Sequence, residues 1–307
     1  MRSETPRPII FGEVLFDCFE DGSRVLGGAP FNVAWNLFQL GENPLFISRI
    51  GDDDLGHEII TVLQRSGFDT TGIQVDNQRP TGRVEVSVVN GEASYTIVPE
   101  QAYDFIEEQS LPALANGGIL YHGTLGIRHP AALAALTALK ANADVPVLLD
   151  VNLRKPWDAH IDLNSLLQSA HWCKLNGDEF TQLLNNTFSV EPSSLDAQEK
   201  QLAEMVLDSA HLAGLLITQG EKGASAYQRG QCPTHISPQS DTAVVDTVGA
   251  GDAFCSVFLL GLLRGWAMPE ILQRAQAFAS CVVGLKGATS MDAGFYNRFK
   301  QQWLNNN

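Results

Sequence analysis

The stretch Asp246-Thr-Val-Gly-Ala-Gly-Asp252, followed by an apolar helical run, indicates how this chain folds. Gly249, Ala250 and Gly251 have little or no side chain, so a ligand can approach their backbone N–H groups closely. Free N–H groups at a helix N-terminus, together with the helix dipole, make an anion site. A carboxylate there would repel a merely bound phosphate, but it can accept a proton from a hydroxyl during phosphoryl transfer. The stretch therefore predicts an anion hole with Asp252 as the catalytic base.

Strand-like runs alternate with helical patterns along most of the chain. The predicted strands cover residues 8–16, 45–50, 119–122, 145–150, 171–175 and 215–218. The predicted helices between them cover residues 30–40, 55–66, 131–140, 178–185 and 197–207. Strands separated by helices need crossover connections, which make neighbouring strands parallel. We therefore expect an α/β fold with a doubly wound, mostly parallel sheet flanked by helices, in one domain over residues 1–307.

One segment departs from this alternation. Residues 83–89 alternate polar and apolar, and strand character resumes at 94–98 after Asn90-Gly91. An Asn-Gly pair between alternating runs is a strong hairpin signal. An antiparallel hairpin in a parallel α/β chain predicts a small β subdomain, which is either decoration or a flap over a ligand site.

Composition and charge exclude several classes of partner. Lys and Arg total 20 against 35 Asp and Glu, so the formal net charge is −15. A surface this acidic repels phosphate backbones and anionic lipids, and we expect no nucleic-acid or membrane partner. The five cysteines are odd in number and form no CxxC pair. No apolar run reaches the roughly 18 residues of a membrane span, and the first run is too short for a signal peptide. We expect a cytoplasmic protein.

Five motifs together resemble those of the ribokinase-like (PfkB) carbohydrate kinases. The 246–252 stretch resembles the carboxy-terminal signature of that family. The other four occur in the family's order: Gly27-Gly-Ala-Pro-Phe-Asn32, Gly51-Asp-Asp-Asp-Leu-Gly56, Asn176-Gly-Asp-Glu179 and Thr218-Gln-Gly-Glu-Lys-Gly223. The resemblance covers about residues 9–290. It implies the doubly wound α/β fold derived above, with a small β lid from about residues 13–27 and 79–98, and ATP-dependent phosphorylation of a sugar hydroxyl with Mg²⁺.

The resemblance also assigns roles to individual residues. Asp252 resembles the family's catalytic base, and Gly249, Ala250 and Gly251 resemble the residues of its anion hole. For the nucleotide and Mg²⁺, the family implies the NxxE pair Asn176 and Glu179, with Glu179 reaching the metal through water. The remaining nucleotide-binding positions lie in a turn after a predicted strand, at the edge where open α/β sheets bind ligands: Thr218, Gly220 and Gly223.

The family's sugar and cation positions are also matched in this chain. Its sugar-binding Asp, Gly and Asn correspond to Asp17, Gly28 and Asn32. Arg154 resembles the Arg of a DxNxR segment. It could contact phosphate, contact the sugar or form a structural salt bridge, and the sequence leaves these three roles open. Several members bind K⁺ beside the anion hole, and the matching positions are Asp246 and Val248, with later carbonyls at Val282, Leu285 and Gly287.

The substrate is predicted from the sequence around the sugar motif. Gly12-Glu-Val-Leu-Phe-Asp17, joined to the Gly27–Asn32 motif, looks most like bacterial fructokinases, which favours fructose. The alternative is 2-keto-3-deoxygluconate, a sugar acid that needs cationic groups. Four arginines could supply them: Arg24, Arg79, Arg83 and Arg154. The expected partners are therefore a small sugar and ATP, with a homodimer formed through an open lid edge.

Other classes of protein fit the sequence less well. Asp252 could merely complement a helix N-terminus. A non-catalytic sugar or nucleotide sensor would be expected to have lost the base or the anion hole, and both motifs are intact in this sequence. An NAD-dependent oxidoreductase would require a GxGxxG after a predicted strand, and none occurs. A P-loop kinase is disfavoured because GxxxxGK[ST] is absent.

Overall fold

A computed structural model of the protein describes residues 6–89, 92–114, 117–142, 144–190, 195–238, 246–285 and 287–304. Over these residues the helices are α1 (Ala29–Gln39), α2 (Asp54–Ser66), α3 (Pro130–Ala141), α4 (Leu163–Gln168), α5 (Gly177–Phe188), α6 (Leu195–Ser209), α7 (Ala250–Arg264), α8 (Met268–Val282) and α9 (Ala293–Leu304). The strands are β1 (Ile9–Phe11), β2 (Leu15–Phe19), β3 (Arg24–Gly27), β4 (Leu45–Gly51), β5 (Ile73–Asp76), β6 (Gly82–Val89), β7 (Glu92–Ile97), β8 (Leu120–His122), β9 (Val147–Asp150), β10 (Trp172–Asn176), β11 (Gly214–Thr218), β12 (Ala224–Gln228) and β13 (Thr234–Ile236).

The larger sheet of the described chain has the strand order β13-β12-β11-β10-β9-β8-β1-β4-β5. Pairing is parallel from β5 to β11, and β12 and β13 extend this sheet as an antiparallel edge. The chain winds outward from β1 in both directions, to β5 on one side and to β11 on the other. The prediction of a doubly wound, mostly parallel sheet is therefore confirmed.

Helices cover both faces of this sheet. Alternate strand residues point to opposite faces, so Ile10 packs in one cluster while Ile9 and Phe11 pack in the other. The first cluster contains buried side chains of α1, α2, α7, α8 and α9. The second contains those of α3, α4, α5 and α6. The central strands β1, β4, β8, β9 and β11 are buried on both sides, which explains their mostly apolar sequences.

One predicted strand is divided between two sheets. The apolar run 8–16 becomes β1 in the large sheet and the start of β2 in a smaller one. The chain turns between them at Gly12, whose φ is +145° and where a Cβ would lie 2.5 Å from Cγ of Pro30. Only glycine combines this backbone conformation with so close an approach.

The smaller sheet has the order β3-β2-β6-β7. Its strands lie within the two stretches that were expected to form a lid, about residues 13–27 and 79–98. Val84 and Val86 are buried against Leu15 and Tyr103 on one face. The Asn90-Gly91 turn predicted between β6 and β7 falls outside the described residues.

Across the described ranges, no α-helix combines the length and the apolar character needed to cross a bilayer.

Candidate active site

Asp252 lies in the first turn of α7, at the carboxyl edge of the large sheet. Its side chain is only partly covered, so a ligand can reach it. Asn32 of α1 donates from Nδ2 to Asp252 Oδ2 at 2.8 Å. Burial raises the pKa of Asp252, and the hydrogen bond from Asn32 and the charge of Lys174 oppose that increase. A predicted sugar residue and the predicted base, 220 positions apart, are thus in direct contact.

The loop before Asp252 turns at Gly249, which has φ +77°. A Cβ on Gly249 would lie 2.1 Å from Cβ of Ala288, so this position tolerates only glycine. Gly251 does not adopt a positive φ, and a Cβ there would have Lys174 Nζ at 3.4 Å as its nearest neighbour. Of the three predicted N–H donors, that of Ala250 donates to the carbonyl of Thr247 at 3.3 Å. Gly249 is therefore the residue of the loop 249–251 whose backbone conformation and close contact require glycine.

A buried ion pair beneath this loop was missed by the sequence reasoning. Lys174 Nζ donates to Asp150 Oδ1 at 2.9 Å, and both side chains are almost fully buried. Tyr121 donates its hydroxyl to Asp150 Oδ2 at 3.1 Å. Because Lys174 also lies under Gly251, its charge acts on the anion hole from below. The available signal was a charged residue in each of two mostly apolar strands: Asp150 ends β9, and Lys174 lies in the middle of β10.

The NxxE segment forms a reciprocal cap at the start of α5. Asn176 Oδ1 accepts from Glu179 N–H at 2.8 Å, and Glu179 Oε2 accepts from Asn176 N–H at 2.8 Å. The other oxygen, Oε1, accepts from Leu153 N–H at 2.8 Å. Burial raises the pKa of Glu179, and the charge of Lys174 opposes it. Glu179 thus also holds the loop that follows β9.

These contacts determine how Mg²⁺ would fit. Both oxygens of Glu179 already accept a backbone N–H, and the side chain is 6% exposed. Over the described residues, no group of three or more His, Cys, Asp or Glu side chains is arranged to hold a metal. Mg²⁺ commonly keeps several waters and is held by one or two carboxylates and by substrate phosphates. The site fits such an ion only where Glu179 reaches it through water.

Arg154 follows β9 on a tightly held loop. Asn152 has φ +38°, and Thr124 donates its hydroxyl to the carbonyl of Val151 at 2.7 Å. The Arg154 side chain is exposed. Burial raises the pKa of three carboxyl groups, those of Glu13, Asp17 and Asp252, and the charge of Arg154 opposes each increase. Arg154 therefore lies near these acids, and the region bounded by Asp17, Asp252 and Arg154 is the candidate pocket.

The predicted sugar residues border the same pocket. Asp17 projects from β2 of the small sheet, and burial raises its pKa to about 6. Gly28 has φ +105°, and a Cβ there would lie 2.8 Å from the carbonyl oxygen of Glu13. Asn32 Oδ1 is buried and has no hydrogen-bond partner over the described residues. The structure brings Asp17, Gly28 and Asn32 together with Asp252 and Arg154.

The predicted nucleotide turn follows β11. Thr218 pairs with Asn176 at the ends of neighbouring parallel strands, so this turn and the NxxE segment lie side by side. Gly220 and Gly223 have φ values of +55° and +93°. Gln219 donates from Nε2 to Glu199 of α6 at 2.6 Å. The sequence did not point to Glu199, which connects this turn to α6 through its bond with Gln219.

The positions predicted to bind a monovalent cation lie close together. Asp246 Oδ1 accepts from Val248 N–H at 2.9 Å, and its Oδ2 accepts from Gly287 N–H at 3.2 Å. Leu285 N–H donates to the carbonyl of Val282 at 2.8 Å. The segment that precedes the anion hole therefore lies against the loop that follows α8.

Comparison with known proteins defines the class of this chain. It matches the family described as pfkB family carbohydrate kinase over residues 17–293. Fructokinase of Escherichia coli is 31% identical over 299 residues, which cover 91% of this chain and 94% of the relative. Probable fructokinase-5 of Arabidopsis thaliana is 30% identical and covers 91% of this chain and 90% of the relative.

Solved structures agree with this class. Aminoimidazole riboside kinase from Salmonella enterica, in complex with aminoimidazole riboside and an ATP analog, superimposes with a TM-score of 0.78 at 25% identity, covering 96% of this chain and 99% of that one. Fructokinase from Xylella fastidiosa with bound ATP gives a TM-score of 0.81 at 21% identity over 97% and 99% of the two chains, a likeness of fold. The chain belongs to the pfkB family of carbohydrate kinases. The predicted ribokinase-like fold and the predicted enzyme class are confirmed.

Proposed function

We propose that this kinase transfers the terminal phosphoryl group of ATP to a hydroxyl of fructose. The observation that supports this substrate is the charge of the pocket. Three carboxyl groups lie in or beside it, those of Glu13, Asp17 and Asp252, and the charge of Arg154 acts on all three. Carboxyl groups make good hydrogen-bond partners for a neutral polyol but repel an anionic substrate. The relatives named fructokinase support the same choice.

The other three arginines proposed for a sugar acid have different surroundings. Arg24 and Arg83 pair across the small sheet with Cys18 and Phe16, whose side chains lie on the face opposite Asp17. Arg24 is also bonded to Glu58 of α2. Arg79 pairs with Asp76 and stacks at 3.5 Å on the ring of Phe105. These contacts disfavour 2-keto-3-deoxygluconate, because Arg154 is the one of the four proposed arginines that stays available to its carboxylate.

The geometry suggests how the chain's own groups act in the transfer. Asp252 accepts the proton of the attacking hydroxyl, and Asn32 holds the carboxylate in place. The backbone of the 249–251 loop, with Lys174 beneath it, stabilises negative charge on the transferred group. When bound, Mg²⁺ would neutralise charge on the phosphate oxygens. Gly220, Gly223 and the neighbouring Asn176 would support the nucleotide.

A panel of sugars tests the proposal. With ATP and Mg²⁺, kcat/KM for fructose is expected to exceed that for 2-keto-3-deoxygluconate, ribose and adenosine by at least about tenfold, since unpaired polar groups penalise a poorly matched substrate. The measurement is ADP release coupled to NADH oxidation, with detection of the phosphorylated sugar. A higher kcat/KM for the sugar acid would favour the alternative substrate. Binding of fructose without turnover would instead support a sensor.

We also propose K⁺ activation at the site formed by Asp246 and the loop after α8. The contacts of Asp246 with Val248 and Gly287 support this, because they bring carbonyl-rich segments next to the anion hole. Carbonyl and carboxylate oxygens suit a hard cation. Turnover in KCl should then exceed turnover in NaCl at equal ionic strength, and equal rates would contradict the proposal.

A lid action of the small sheet, residues 13–27 and 79–98, is a further part of the proposed function. Asp17 on β2 faces the pocket, so bound sugar would contact this sheet directly. The sheet is anchored where β6 begins: Asp53 accepts from Thr81 N–H at 2.8 Å and from its hydroxyl at 2.6 Å. Closure would exclude water from the donor phosphate, so that the sugar hydroxyl receives it.

Hydrogen exchange with and without sugar measures this lid action. Backbone amides of 79–89 and 92–98 are expected to exchange more slowly with fructose bound, because closure reduces local opening. The antiparallel edge formed by β12 and β13 serves as the control, since it lies at the far end of the large sheet and should not respond. Equal protection of residues 79–98 in both states would show that the small sheet is static.

We propose that the protein acts in the cytoplasm and that two copies associate through their lid sheets. β3 and β7 are the edge strands of the described small sheet, and edge strands offer unpaired backbone groups. Tyr95 and Phe19, on β7 and β2, are large apolar side chains exposed by 56% and 36%. Burial of these side chains would favour association. Sedimentation at micromolar concentration would detect the dimer, and Tyr95→Lys should dissociate it.

A further inference from the structure

Glu13 is a buried carboxyl group to which the proposed mechanism assigns no step. It lies in the turn between β1 and β2, and its side chain is 3% exposed. The side chain packs against the start of α1, where a Cβ on Gly28 would lie 3.3 Å from Glu13 Cγ. At its end, Oε2 is buried and has no hydrogen-bond partner over the described residues.

An unpartnered carboxyl oxygen in the interior is costly. A buried polar group without a hydrogen bond destabilises a protein by about 1–3 kcal/mol, and a charged one by more. Glu13 has no ion pair within the described parts of the chain, and the charge of Arg154 acts on it only at longer range. Burial raises the pKa of Glu13 to about 7. Near neutral pH the group can therefore donate or accept a hydrogen bond, as a sugar hydroxyl also can.

Two glycines make room for this carboxyl group. A Cβ on Gly126, in the turn after β8, would lie 3.0 Å from Glu13 Oε2. A Cβ on Gly28, one of the predicted sugar positions, would lie 3.3 Å from Glu13 Cγ. The side chain thus occupies a slot whose walls are bare backbone. Any larger residue at either position would displace it.

The same region contains two more polar atoms without partners. Asn32 Oδ1 and the hydroxyl of Tyr103 are buried and unpaired over the described residues. Asn32 follows Gly28 by one helical turn and donates to Asp252, and the Tyr103 ring lies against Gly82 beside the carbonyl of Val14, the residue after Glu13. Orphan groups on β1–β2, α1 and the 102–105 turn therefore surround one region next to the base. A ligand with several hydroxyl groups would satisfy them together.

We infer that Glu13 is a sugar-binding residue whose Oε2 hydrogen-bonds a substrate hydroxyl other than the one that is phosphorylated. The inference rests on the proposed function, because it assumes that the pocket beside Asp252 receives the sugar. The turn between β1 and β2 would then contribute to substrate specificity, in addition to Asp17, Gly28 and Asn32. The rival explanation is structural: Glu13 only fills the space between Gly28, at the start of α1, and Gly126.

The test is a thermodynamic cycle that combines a substitution of Glu13 with the removal of single hydroxyl groups from fructose. In wild type, one monodeoxy analogue of fructose is expected to raise KM by about 10–100-fold through loss of the Glu13 contact. Glu13→Ala should raise KM for fructose by a similar factor and leave KM for ATP within about twofold. In Glu13→Ala, removal of that same hydroxyl should then cause no further loss. Additive penalties for every hydroxyl, or an unchanged KM for fructose, would overturn the inference.

Two further variants separate binding from folding. Glu13→Met keeps a side chain of similar length without a carboxyl group to bond the hydroxyl, and it replaces Glu13→Ala in the cycle if the alanine variant does not fold. Glu42→Gln is the matched control, because Glu42 is also a buried glutamate, bonded at 3.0 Å to Arg264 at the far end of α7. Glu42→Gln should lower Tm without changing KM for fructose. If wild type does not phosphorylate fructose at all, the proposed function fails, whereas normal turnover with no Glu13 effect refutes this inference alone.

Discussion

Replacement of Asp252 by Asn is expected to lower kcat by about 10²–10⁴-fold, which is the usual contribution of a positioned general base. The amide has nearly the same shape and can still accept the hydrogen bond that Asn32 donates at 2.8 Å, so the geometry around it is preserved. It cannot take a proton from the sugar hydroxyl. The measurement is kcat at saturating fructose and ATP, with sugar binding by calorimetry expected to change little.

The pH dependence provides an independent check on the same residue. Burial raises the pKa of Asp252, and the base works only when it is deprotonated. Wild-type kcat should therefore fall as the pH is lowered through that raised pKa, whereas the residual rate of Asp252→Asn should not show this loss. Turnover within about threefold of wild type in the asparagine variant would remove Asp252 from the mechanism.

Substitution of Gly249 by Ala is expected to abolish measurable turnover and to destabilise the fold by about 2–5 kcal/mol. Two effects add: the left-handed conformation costs a residue with a side chain about 1–2 kcal/mol, and overpacking costs about 1–3 kcal/mol. Both apply because φ is +77° and the new Cβ would lie 2.1 Å from Cβ of Ala288. The loop must move to relieve this contact, and the anion hole moves with it. Thermal unfolding and kcat are the two measurements.

The other end of the same helix provides the control. Gly265, at the C-terminus of α7, has φ +67°, and a Cβ there would meet no atom within 4 Å. Gly265→Ala should therefore show the conformational cost alone, about 1–2 kcal/mol, with kcat unchanged. If Gly249→Ala behaves like Gly265→Ala in both stability and turnover, the contact with Ala288 does not shape the anion hole.

Much of the architecture followed from local patterns in the sequence. The alternation of apolar runs with helical periods predicted the parallel sheet, because an element's period and burial are properties of neighbouring residues. Pro30 and Gly41 predicted the limits of α1 to within one residue. The 246–252 motif predicted the loop before α7, with Asp252 in its first turn. The run 8–16 was one exception, because two strands of different sheets are both apolar there.

The site depends on contacts that only the tertiary structure brings together. The hydrogen bond between Asn32 and Asp252, the bond from Leu153 to Glu179 and the buried pair of Asp150 and Lys174 each join different elements. No local pattern encodes such contacts, since they depend on which strands become neighbours and where each side chain points. The missing partner of Glu13 Oε2 is of the same kind, because burial and hydrogen bonding are decided by everything that packs around the group. The sequence by itself determined the class of fold and predicted Asp252 as the base, and the tertiary structure decided which groups surround Asp252.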